Sequence, residues 1–232
     1  MKIKLALMLT LGLAAGAFVT PAPAQAGDQV KGWHVQQTVD IMARPEIVYG
    51  YVADLNQWPS WTVWNAEMDP TTKWTFTGDP KTVGHTMEWD GKEMGWGRLT
   101  LTSADPATGV NYDMWMMKEK NPPGHGTFVF TAIEGGTQVT WTDEGPLKGF
   151  GKLFKKKINS MLTADFTANL ANLKAKAEAD ELALRAQEEA ARIAAEAAAA
   201  KAAEEAAAAK AAEEAAAKAA AEAAAAKGKK KK

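Results

Sequence analysis

Residues 150–173, FGKLFKKKINSMLTADFTANLANL, place Phe150, Phe154, Ile158, Leu162, Phe166, Leu170 and Leu173 at spacings of four, four, four, four, four and three. At 3.6 residues per turn this is one apolar stripe along a helix of about seven turns, and such a stripe predicts an apolar surface for it to lie on. The chain immediately upstream supplies one. Residues 73–77, 86–90, 95–104, 110–118, 127–134 and 137–143 alternate polar and apolar side chains with the period of a strand. Between them stand Asp90-Gly91, Thr108-Gly109, Asn121-Pro122-Pro123-Gly124 and Gly135-Gly136, the chemistry of hairpin turns. Successive hairpins predict an antiparallel meander.

Further toward the N-terminus, residues 34–42 read as a first strand that stops before Arg44-Pro45. Pro45 suits the first turn of a helix, where its missing N–H would have no partner anyway. Ile47, Val48, Tyr51 and Val52 then repeat at helical spacing, and Asp54 can cap a second short helix over 55–61. The order is strand, two short helices, a curved antiparallel sheet and a long amphipathic helix, which is an α+β class.

That order, together with several short motifs, resembles the helix-grip fold of the START-related (SRPBCC) superfamily, in its polyketide cyclase/dehydrase-like branch. The motifs are Ala43-Arg44-Pro45-Glu46-Ile47-Val48-Tyr49, Asp54-Leu55-Asn56-Gln57-Trp58-Pro59-Ser60-Trp61, Val83-Gly84 with Trp89-Asp90-Gly91, Gly95-Trp96-Gly97, and Gly135-Gly136-Thr137-Gln138-Val139-Thr140-Trp141. The resemblance covers residues 33–176. It implies a sheet wrapped around the C-terminal helix, with a hydrophobic small molecule or lipid bound between them. It does not by itself imply catalysis, because a fold does not fix a function.

On one face of the strands the alternation collects Met87, Trp89, Tyr112, Met114, Phe128, Phe130, Val139 and Trp141. Phe154, Ile158 and Leu162 of the helix stripe would face them. These residues are the expected lining of an apolar pocket, since methionine and aromatic walls adapt to apolar ligands. A solid core against the helix explains the same pattern. Trp58, Trp61 and Trp64, spaced by three, suit either packing or a lid at the pocket mouth.

The polar candidates are Glu88, Arg98, Tyr112, Asp113, His125 and Asp143; a buried acid or arginine there would need a partner and could orient a ligand or move a proton. Glu88 and Trp89 point to opposite faces, so both cannot be inside. His34, His85 and His125 fall on separate elements with no HxH or HExxH spacing, and no metal or other cofactor is expected. The chain has no cysteine, which excludes disulfides, thiol catalysis and thiolate metal sites. No residue is assigned as catalytic.

The remaining segments are of other kinds. Met1 to Ala26 reads as a secretory signal: Lys2 and Lys4, an apolar run from Leu5 to Val19, and Ala24-Gln25-Ala26 as a cleavage site. A periplasmic or secreted location follows, with cleavage after Ala26. Removal of those residues takes the formal charge from −1 to −3, which offers nothing to nucleic acid. After Trp141 there is no tryptophan, and residues 178–227 are almost wholly Ala, Glu, Lys and Arg. This low-complexity stretch predicts a semi-rigid helical spacer, like a coiled coil in composition but with no leucine seam. Gly228 is expected to end it. Lys229 to Lys232 then form a basic tip, suited to capping the helix or to weak contact with an anionic envelope surface.

Three functions fit: a carrier or sensor of hydrophobic ligands, a polyketide cyclase/dehydratase-like enzyme, or an envelope interaction protein acting through its tail.

Overall fold

A computed structural model describes residues 32–117, 122–147 and 149–229. The expected signal sequence, Lys118 at the end of the fourth expected meander strand, Asn121 of the following turn, and Lys230 to Lys232 of the basic tip lie outside the described residues.

The first strand, β1 (Gly32–Ile41), leads to α1 (Pro45–Ala53), whose first position is the expected proline. The expected second helix is split. A 3-10 turn at Leu55–Gln57 is capped by Asp54, whose side chain accepts from the Asn56 N–H at 3.0 Å. It is followed by α2 (Trp58–Trp61). The meander comprises β2 (Lys73–Thr77), β3 (Thr86–Gly91), β4 (Gly95–Asp105), β5 (Gly109–Met116), β6 (Gly124–Ile133) and β7 (Gly136–Pro146). β1 closes it by pairing antiparallel with β7, giving one seven-stranded sheet in the order β1-β7-β6-β5-β4-β3-β2. A register shift in β4 between Leu101 and Ser103 is the kind of irregularity that bends a sheet.

A second 3-10 segment, Gly149–Phe154, leads into α3 (Lys155–Lys229), a helix of 75 residues, about 110 Å long. The arrangement is the helix-grip α+β fold. α3 buries Phe166, Asn169, Leu170, Leu173, Ala177 and Glu181, the i, i+3/i+4 positions of one face. It packs chiefly on β1, and on α1 and α2.

The helix runs unbroken through the expected boundary between domain and spacer near residue 177, and Gly228 lies within it instead of ending it. Its attachment to the domain reaches Glu188. The Met42 N–H donates to Glu178 at 2.8 Å, the Tyr51 hydroxyl to Asp180 at 2.6 Å and Arg44 Nε to Glu181 at 3.1 Å. Arg44 also forms a two-pronged bond to Glu188 at 2.7 and 2.8 Å, the planar pairing for which guanidinium is suited.

Candidate functional site

Cross-strand register decides which side chains share the inner face. Met87 stands opposite Leu99, Leu99 opposite Met114, Tyr112 beside Gly126, and Phe128 beside Trp141. Met87, Trp89, Tyr112, Phe128, Phe130, Val139 and Trp141 are all buried on this face, and Met114 is half-buried against them. The eight strand residues expected to lie together do so.

The centre of the face is filled by rings. Trp141 is stacked between Phe128 at 4.6 Å and Phe166 of α3 at 3.8 Å. Trp58 meets Tyr112, Phe128 and Trp141 edge-on at 5.6 to 5.9 Å. Trp58 and Trp61 are buried, and their indoles donate to the carbonyls of Val52 and Tyr51 at 2.8 and 3.3 Å. These two tryptophans are packing residues. Trp64, half-buried, reaches Trp141 and Phe166 at 6.2 and 6.0 Å.

The helix side differs from expectation. Ile158 and Leu162 are half-buried, but Phe154 is 56 % exposed and does not line the space between sheet and helix. The reason is place along the chain. Phe154 ends the 3-10 segment, and residues 152–157 are all exposed; cover by the domain begins only at Ile158.

Of the six polar candidates, two meet inside. Tyr112 donates its hydroxyl proton to Asp143 Oδ2 at 2.7 Å and accepts from the Trp141 indole at 2.9 Å. The Trp33 indole donates to Asp143 Oδ1 at 2.7 Å. Gly126 makes room for this network, since a Cβ there would stand 1.9 Å from the Tyr112 ring. Burial pushes the Asp143 carboxyl up to about 6, against the two donated hydrogen bonds that favour its charge. Burial, and then the neighbouring Asp143 charge, push the Tyr112 phenol well above its ordinary value. Each member of this network already has a partner. It ties β1, β5 and β7 together and leaves the tyrosine proton committed to the carboxylate.

The other four sit on the outer face. Asp113 and His125 form an exposed pair at 2.6 Å. Arg98 lies over the Trp115 ring at 4.8 Å, and stands opposite Glu88. A cleft of about 310 Å³ on that face is lined by Thr75, Thr77, Thr86, Glu88, Arg98 and Thr100. A larger one, about 530 Å³, lies between α1 and α3 and includes Glu46, Tyr51, Lys81 and Asp180. Neither is lined by any of the eleven expected pocket residues. No group of three or more metal-ligating side chains occurs among the described residues.

Sequence reasoning missed the polar atoms that α3 carries on its inward side. Asn169 is fully buried; its Oδ1 accepts from the Val63 N–H at 2.6 Å, but its Nδ2 has no partner. Asn159 Oδ1 is likewise buried without a partner. Between them burial pushes Asp165 up, opposed by a hydrogen bond from the Trp64 indole. The signal was present, since Asn159 and Asn169 each lie three residues before a member of the apolar stripe or beside one, but an asparagine on a stripe edge reads as an exposed flank.

A family model described as polyketide cyclase/dehydrase and lipid transport matches residues 32–178. The chain belongs to that family. No curated protein matches it. Among solved structures, it is similar to StfQ, a di-domain ARO/CYC from the steffimycin biosynthetic pathway, at 16 % identity and a TM-score of 0.51. The match covers 64 % of this chain and 52 % of that one, about half its length. It is also similar to CV1439 from Chromobacterium violaceum (14 % identity, TM-score 0.46, covering 62 % of this chain and 96 % of that one). The Aha1 dimer from Colwellia psychrerythraea gives 16 % identity and a TM-score of 0.47, with 62 % and 96 % covered.

Proposed function

We propose that this family member is an exported carrier or sensor that binds a hydrophobic small molecule or lipid between the inner sheet face and the first turns of α3. The observation that carries the reading is the incomplete burial of α3 upstream of Phe166. There Ile158 and Leu162 are only half-covered and the buried Asn159 Oδ1 has no partner; further along the helix the buried Asn169 Nδ2 has none either. Buried polar atoms are nearly always hydrogen-bonded, so these two call for water or a ligand's polar group. They lie about 15 Å apart along the helix. An apolar molecule with an oxygen function meets Leu162, Met114 and Trp64 with its body and an asparagine with its head. Export rests on the character of Met1 to Ala26. The satisfied Tyr112–Asp143 network favours binding over acid–base catalysis, because neither group presents a free donor.

The test is native mass spectrometry with lipid extraction on the chain from Gly27 onward, purified from its own envelope fraction. A stoichiometric apolar adduct that is lost in Leu162→Arg, with the melting curve kept, supports the reading. A clean apo mass and no uptake of fluorescent fatty-acid or sterol probes would sink it.

A further inference from the structure

Several exposed apolar side chains stand toward one end of the sheet. Register brings the end of β5 at Met116, the start of β6 at Gly124, the end of β7 at Pro146 and the start of β1 at Gly32 to the same edge. The 3-10 segment and the start of α3 follow β7. Leu153 is 76 % exposed, Met117 79 %, Phe154 56 % and Met161 55 %, and Met116 is also exposed. Lys152, Lys155, Lys156 and Lys157 are interleaved with the apolar residues of the helix start, and all four are exposed. Lys92 stands in the β3–β4 turn at the same end. The acids at this end are Asp90, Glu93, Asp113 and Glu144, with Asp165 further along α3, but residues 145–164 hold lysines and no acid. The helix start is therefore cationic, in a chain whose formal charge is −1.

A patch of protruding Leu, Phe and Met ringed by lysines has the composition of a surface that enters the boundary between lipid headgroups and acyl chains. Lysine stems lie along apolar surface while their ammonium groups reach phosphate. We propose that this end of the domain docks on an anionic lipid bilayer, with Leu153, Phe154 and Met161 entering the boundary and Lys152, Lys156 and Lys157 meeting lipid phosphates. The surface does not depend on the groove holding a ligand. It also lies at the opposite end of α3 from Lys229, about 110 Å away, so the two ends can be tested apart.

Co-sedimentation of the chain from Gly27 onward, which contains every described residue, with phosphatidylcholine vesicles containing or lacking phosphatidylglycerol tests the proposal. Each lysine near an anionic surface strengthens association about fivefold. The triple variant Lys152→Glu, Lys156→Glu, Lys157→Glu is therefore expected to weaken partitioning at least a hundredfold, as 5 × 5 × 5 is about 125. Leu153→Asp with Phe154→Asp should abolish most of what remains, and salt should weaken the wild type. All five positions are exposed, so a melting curve unchanged by the substitutions separates lost docking from lost folding. Wild-type partitioning that is absent, or unmoved by these variants, overturns the proposal. So does partitioning lost only when Lys229 to Lys232 become Gln, which would place contact at the tail tip. A patch-dependent dimer by sedimentation velocity, with no vesicle binding, assigns the surface to a second copy and equally overturns it.

Discussion

Phe154 and Phe166 belong to one apolar stripe, yet the first is 56 % exposed and the second 2 %. Phe166 is stacked on Trp141, and the residues after it are fastened by Asn169 to the Val63 N–H and by Glu178, Asp180 and Glu181 to α1 and its approach. Phe154 stands before the turns of α3 that the domain covers, and the turns that follow it are only partly covered. An apolar stripe is thus a demand for cover, and the surface opposite decides where that demand is met. The docked half of α3 secures the fold. The uncovered half holds Asn159, whose buried Oδ1 has no partner, and the exposed patch, which is where binding can occur without undoing the core.

The largest effect that would sharpen this contrast comes from truncating equivalent apolar residues on the two halves. Leu173 is fully buried, and Leu173→Ala should cost about 3–4 kcal/mol, the transfer of its methyl groups plus the cavity left behind. Met161→Ala, on the exposed side, should change stability by less than about 0.5 kcal/mol. Urea unfolding followed by tryptophan fluorescence measures both, since every tryptophan lies between Trp33 and Trp141. Equal losses would erase the distinction between the halves.

The next effect separates the inner polar pair from the outer one. The Asp143 carboxyl rises from 3.8 to about 6 on folding. A raised carboxylic acid favours the proton-bound native state, so its contribution is fully present below pH 3.8 and is lost as pH climbs through about 6. Two units correspond to about 3 kcal/mol. Asp143→Asn should remove that decline between pH 4 and 8, whereas Asp113→Asn, on the exposed outer pair, should leave it in place. Chemical denaturation across pH checks this, and an unchanged slope in Asp143→Asn would show that the carboxyl titrates elsewhere.

Strand alternation made the inner face legible, because a period of two sorts side chains without knowledge of the partner strand. Register supplied what the pattern lacked. Tyr112 and Asp143 are 31 positions apart, and nothing local to either announces the bond between them. The choice between Glu88 and Trp89 was likewise closed by pairing, with Trp89 inside. At Phe154 the period misled, since counting by fours carries a stripe past the point where the domain covers it. The site's polar atoms on α3 were hidden for another reason: whether an asparagine is buried depends on how far the sheet reaches along the helix, which is a property of the assembled layers.

The smallest effect concerns the clamp that separates the docked half from the free tail. Glu181 is buried and accepts from the Arg44 backbone N–H and Nε at 3.1 Å and from Arg185. Burial pushes its carboxyl up, and the bonds from Arg185 and Arg44 outweigh that and hold it below the usual range. A lowered carboxyl contributes stability that is present above its ordinary value near 4.5 and is lost as pH falls through the lower native one. Glu181→Gln turns an amide N–H₂ toward these donors and should cost about 1–2 kcal/mol at pH 7. The cost should shrink in acid, opposite in sign to the Asp143 dependence. The thermal midpoint of the variant at pH 7 and pH 3.5 reads both, and a penalty that stays the same in acid would mean that the clamp holds α3 by packing and not by charge.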